Sequence, residues 1–74
     1  MEIYTAICHD NHIDVDIQVF TKPEPAIQYA KDFVPERYDI IEQELTKEMK
    51  QAGWLYLAHY GTEGDSVRVE TGIL

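Results

Sequence analysis

Apolar and polar residues alternate with period two over residues 13–20, where Ile13, Val15, Ile17 and Val19 interleave with Asp14, Asp16 and Gln18. Successive side chains on a strand point to opposite faces, so this alternation predicts a half-buried β-strand. Asp14, Asp16 and Gln18 then share one row, expected to be the outward one. Residues 2–8 form an earlier strand rich in β-branched and aromatic types. Residues 9–12, His-Asp-Asn-His, read as a hairpin turn between the two.

The period then changes from two to about three and a half. Thr21-Lys22-Pro23-Glu24 matches a capping box with proline in the first turn. Ala26, Ile27, Ala30, Phe33 and Val34 follow on one helical stripe. Pro35 disfavours a helical Val34, which predicts a break there. Tyr38, Ile41, Leu45, Met49 and Ala52 make a second stripe that ends at Gly53, with Thr46 a point of interruption into shorter helices. Residues 54–60 return to strand, residues 61–65 form a turn, and residues 66–73 close with Val67 and Val69 opposite Arg68 and Glu70.

The order β-β-α-α-β-β predicts an α+β domain spanning residues 1–74, a four-stranded antiparallel sheet with one or two helices on one face. The strand at 54–60 strains that two-layer scheme. Trp54, Tyr56, Ala58 and Tyr60 alternate with Leu55, Leu57 and His59, so both faces are largely apolar. A strand of that kind is usually covered on both sides. Periodicity alone leaves open which face is inside; Trp54 and Tyr56 together are the favoured inner pair. The outer face then has to meet long side chains of the protein's own surface, a second copy of the chain or another partner.

Composition narrows the field. At 74 residues with 45% hydrophobic content, the chain has room for one small core. Fourteen acids against six bases give a net charge of −8. Nucleic-acid binding rests on Lys and Arg neutralising phosphates, so direct binding is not expected, nor is docking on anionic membranes. A basic protein surface is the natural complement. The single cysteine, Cys8, excludes an intramolecular disulfide and suits a reducing compartment. No basic-then-apolar leader or bilayer-length apolar run is present, so a cytoplasmic location is expected.

Candidate chemistry is thin. His9, His12 and Asp14 form the one cluster with metal-ligating residue types, but turn residues are selected for conformation and no recognised ligand spacing is completed. Cys8 and His9 are strand neighbours and point to opposite faces, a poor thiol–imidazole pair. Ser66 has no glycine elbow, and the Gly61–Gly64 turn carries Glu63 and Asp65, which would repel phosphate. No cofactor and no catalytic residue are expected.

The tract Gly53-Trp54-Leu55-Tyr56-Leu57-Ala58-His59-Tyr60, with Glu63-Gly64-Asp65-Ser66-Val67-Arg68-Val69 after it, resembles the C-terminal half of small uncharacterised proteins of bacteria and their phages. That resemblance implies no activity and carries no functional residue. In size, acidity and element order the chain is also similar in type to phage inhibitors of host defence, including some anti-CRISPR proteins, with no shared motif. The expectation is a non-enzymatic protein-binding module, of the kind a phage or mobile-element inhibitor would be, that occupies a basic, nucleic-acid-binding surface of a partner protein. Asp14, Asp16, Tyr4, Tyr56 and Arg68 are its expected contacts. The alternative is a structural homodimer joined through the sheet; a small metal- or thiol-dependent enzyme using Cys8, His9, His12 and Asp14 ranks third.

Overall fold

The last apolar alternation of the chain becomes the middle of the molecule. In a computed structural model describing residues 1–11, 14–61 and 64–74, the elements run β1 (Glu2–His9), β2 (Asp16–Phe20), α1 (Pro23–Phe33), β3 (Ile41–Glu42), α2 (Lys47–Gln51), β4 (Trp54–Tyr60) and β5 (Asp65–Ile73). They build one antiparallel sheet of five strands in the order β2-β1-β5-β4-β3. The architecture is α+β as expected, with five strands where four were predicted.

One face of the sheet is covered by α1. The fully buried residues there are small: Ala6 and Cys8 from β1, Ala58 from β4, Val67 and Val69 from β5, and Ala26 and Ala30 from the helix. Alanine on both layers lets the helix lie close to the sheet. The one large side chain in this core that is almost wholly buried is Tyr60.

Several local expectations are corrected. The helix begins at Pro23 with Lys22 at the cap position and no side-chain cap bond, so the Thr21 capping box does not form. The fixed φ of proline suits a first helical residue, and this sets the start one residue after the position Thr21 would require. The helix ends at Val34, whose backbone is extended, as a residue before proline prefers.

The helical stripe predicted over residues 38–52, with its point of interruption at Thr46, becomes a two-residue strand before Thr46 and a short helix after it. Ile41 pairs with His59 on the edge of β4, a conformation that suits β-branched residues. Thr46 then starts α2, its hydroxyl accepting from the Met49 N–H at 3.2 Å. Gly53 turns α2 into β4 with φ +93°, and a Cβ there would stand 3.0 Å from the Thr71 carbonyl oxygen. Only glycine meets both constraints.

Two faces were assigned wrongly from periodicity. A register shift between Trp54 and Tyr56 pairs Trp54 with Glu70 and Tyr56 with Val69. An extra residue in a strand reverses which face its neighbours occupy. Tyr56 therefore joins the helix-covered core while Trp54 stands on the opposite face. In β2, Asp16 pairs with Cys8 and Gln18 with Ala6, so Asp16 and Gln18 lie on the helix side. Ile17 and Val19 point to the uncovered side, 57% and 59% exposed. His12 of the predicted turn and Ile13, the first residue of the predicted strand, lie outside the described residues.

Candidate functional site

Registry across the sheet defines the face that α1 leaves uncovered. One row runs Ile17, Ile7, Arg68, Leu57, and the next runs Val19, Thr5, Glu70, Trp54. Each row has a charged residue on the central strand and mostly apolar residues on the strands to either side. The Arg68 Nε donates to Glu70 Oε2 at 3.2 Å, and the guanidinium lies 5.0 Å from the centroid of the Trp54 ring. Stacking on an aromatic face and pairing with a carboxylate hold the arginine flat against the sheet. Further along, His59 pairs with Ile41, which is 58% exposed. Monomeric proteins rarely leave a contiguous apolar patch of more than a few hundred square ångströms uncovered.

The five expected contact residues are divided between faces. Arg68 alone among them is on the uncovered face. Tyr4 is on the helix side of β1, its hydroxyl donating to Glu2 Oε2 at 2.9 Å. Asp16 accepts a hydrogen bond from the Tyr29 hydroxyl of α1. Tyr56 is half-buried with Lys31 Nζ 5.5 Å from its ring centroid, and burial, then the Glu42 carboxylate, pushes its pKa well above the ordinary tyrosine value. Asp14 is exposed and precedes β2. Of the row expected along residues 14–18, Asp16 is engaged with the helix, while Asp14 and Gln18 are exposed.

Two of the three residues named for metal, His9 and Asp14, lie among the described residues. His9 pairs with Ser66 on the uncovered face, while Asp10 accepts from the Tyr60 hydroxyl at 2.7 Å. Asp14 is exposed, and His12 lies outside the described residues. No group of three His, Cys, Asp or Glu able to hold a metal occurs among the described residues. Asp65, 3% exposed, accepts from the Asn11 N–H at 2.7 Å. This bond and the Tyr60–Asp10 bond tie the turn after β1 to the β4–β5 end of the sheet.

Cys8 is buried on the helix side, opposite in direction to His9. Burial first, and the Asp16 carboxylate second, push its thiol up to about 11. A thiol held protonated at neutral pH lacks the nucleophilic form that thiol chemistry requires. Tyr29 is pushed up to about 12, first by its hydrogen bond to Asp16. Both shifts favour the neutral form in the folded state. Stability from Cys8 is complete below the ordinary thiol range and is lost as pH rises from about 9 towards 11, because the unfolded chain gives up the proton first. Urea midpoints measured from pH 8 to 11 are expected to fall across that window, and Cys8→Ala is expected to flatten the fall. An unchanged slope in the variant would assign the loss elsewhere.

Sequence reasoning missed Ile7, Ile17, Val19 and Trp54 as members of one surface. The signal that pointed to it was the strand at 54–60, apolar on both faces. No described helix is long and apolar enough to cross a membrane. Comparison with protein-family profiles, with curated proteins and with solved structures returned no match to this chain.

Proposed function

We propose that this chain is a non-enzymatic protein-interaction module whose docking surface is the face of its sheet opposite α1. The observation that supports this most directly is the inversion of β2, which turns Ile17 and Val19 outward beside Ile7 while Asp16 turns in. Burial of such apolar area is worth roughly 25 cal/mol per Å², and the fold itself leaves it unused. Tryptophan and arginine, the residue types most enriched at binding hot spots, stand together on that face as Trp54 and Arg68.

A photo-crosslinking residue placed at Val19 in cells that naturally make the protein is expected to give a discrete adduct. The same residue at Gln28, exposed on α1, is expected to give none. Equal adducts at both positions, or none at Val19, would remove the reading.

A second reading places an acidic surface against a basic, nucleic-acid-binding partner, as an inhibitor would. It is favoured by the run from Glu36 to Glu48, in which Glu36, Asp39, Glu42, Glu44 and Glu48 are all exposed. Its mark is salt: complementary charges steer association, and binding carried by them weakens as ionic strength rises.

A further inference from the structure

The uncovered face is self-complementary, and we infer that its occupant is a second copy of this chain, packed face to face about a twofold axis that passes over β5 at the level of Val69. This rests on the reading that the face opposite α1 is the docking surface, and it names the partner.

Consider what such an axis does when it lies between the two sheets and perpendicular to the strands. Positions equally far on either side of residue 69 exchange places. Arg68 then faces Glu70 of the second copy, and Glu70 faces its Arg68. On the flanking strands the same operation lays Ile17 over Val19, Ile7 over Thr5 and Leu57 over Trp54, because these pairs occupy the two adjoining rows. Rows two residues apart are separated by about 7 Å along the strand, and sheets stacked face to face sit about 10 Å apart. One rotation therefore satisfies the charges and the apolar residues together. A twofold interface must be self-complementary in this way.

Charge and area agree with that occupant. Among the described strand residues that register on this face, Glu70 is the only carboxylate, and Arg68 already neutralises it. The carboxylates behind the net charge of −8 include Asp16 and Glu42 on the helix side and Glu24 and Asp32 on α1. Two copies can approach on this face without bringing those groups into opposition. The molecule measures 36 × 24 × 19 Å overall, so its broadest side is on the order of the roughly 800 Å² each partner gives to a standard interface. Small domains commonly gain their missing burial by association.

The test is sedimentation velocity on the full chain from micromolar to millimolar concentration, with circular dichroism as the check on folding. The wild type is expected to reach twice its 8.6 kDa mass. R68E and E70R place like charges in opposition and are each expected to weaken association at least tenfold. An equimolar mixture of the two is expected to recover the dimer, since each now complements the other. If either charge variant fails to fold, Leu57→Lys supplies a second disruption, expected to leave a folded monomer.

A wild type that stays monomeric at millimolar concentration overturns the inference. So do folded R68E and E70R that dimerise like the wild type, as an edge-to-edge dimer through β2 would, and so does a mixture that fails to recover. A monomer whose Val19 crosslinks to a different protein overturns the second copy and leaves the docking surface standing. A monomer with no Val19 adduct removes both.

Discussion

Replacing Tyr60 by alanine is expected to leave the chain unfolded at room temperature in dilute buffer. The side chain is 1% exposed and is the largest in a core otherwise made of alanines, valines and Cys8. Its ring packs on Tyr38 at 5.8 Å between centroids, and its hydroxyl donates to Asp10. Truncating a buried aromatic to alanine costs about 3–5 kcal/mol. A domain of this length has about 4–11 kcal/mol in total, and small ones lie toward the lower end. The fully buried residues around it are too small to fill the space. Tyr60→Phe keeps the ring and loses only a hydrogen bond to a carboxylate, worth about 1.5–3 kcal/mol. It is expected to unfold cooperatively at a lower urea midpoint. A Tyr60→Ala chain that still unfolded cooperatively, with less than about 1 kcal/mol lost, would show that the packing on this side of the sheet does not hold the fold.

The same chemical change on the two faces should give opposite results. Val69→Asp buries a carboxylate on the central strand at a site with no solvent exposure. The described residues packed there from α1 and β1 include Ala26, Ala30, Ala6 and Cys8, none of them a cation. The penalty for a buried unpaired charge is several kcal/mol, so no cooperative transition is expected at neutral pH. Val19→Asp is made on an edge strand at a residue 59% exposed. There the change should cost within about 1 kcal/mol, mostly from strand preference, when read at the lowest protein concentration that can be followed. Circular dichroism with urea titration of both variants checks the pair. Similar losses in the two would mean that both faces of the sheet are core within one copy of the chain.

That contrast shows where the sequence was informative and where it was silent. The alternation of Val67 and Val69 against Arg68 and Glu70 identified β5 and both of its faces, because a strand between two others shows its inside and outside plainly. In α1, Ala26 and Ala30 were legible as the buried stripe because a helix packs along one side. β2 was different. Its period said that Ile17 and Val19 share a face and that Asp16 does not, but period carries no sign. The sign came from Tyr29, whose hydroxyl reaches Asp16 and draws that row beneath the helix.

Trp54 was misplaced because a single extra residue in β4 leaves no mark on composition. Residues 38–52 misled for another reason. Tyr38, Ile41 and Leu45 are spaced for a helix, yet Tyr38 is drawn to Tyr60 and Ile41 to the edge of β4. Tertiary partners overrode local spacing. The candidate site was legible only as a surplus, one strand with more apolar surface than a two-layer fold can use.

The strand order also sets how the chain can fold. β5 comes last along the chain and lies in the centre of the sheet, joined to β1 with Glu2 opposite Ile73. Before it docks, β1 with β2 and β4 with β3 are two separate ribbons, and two-stranded ribbons are marginal alone. The helix has no finished floor either, since it rests on β1, β2 and β5 together. Closing a loop of nearly the whole chain costs little more in entropy than closing a shorter one. What it costs is speed, because contacts so distant in sequence slow the search. A growing chain that has reached only Gly64 therefore holds two incomplete halves, and folding becomes a single late event in which one strand closes the sheet.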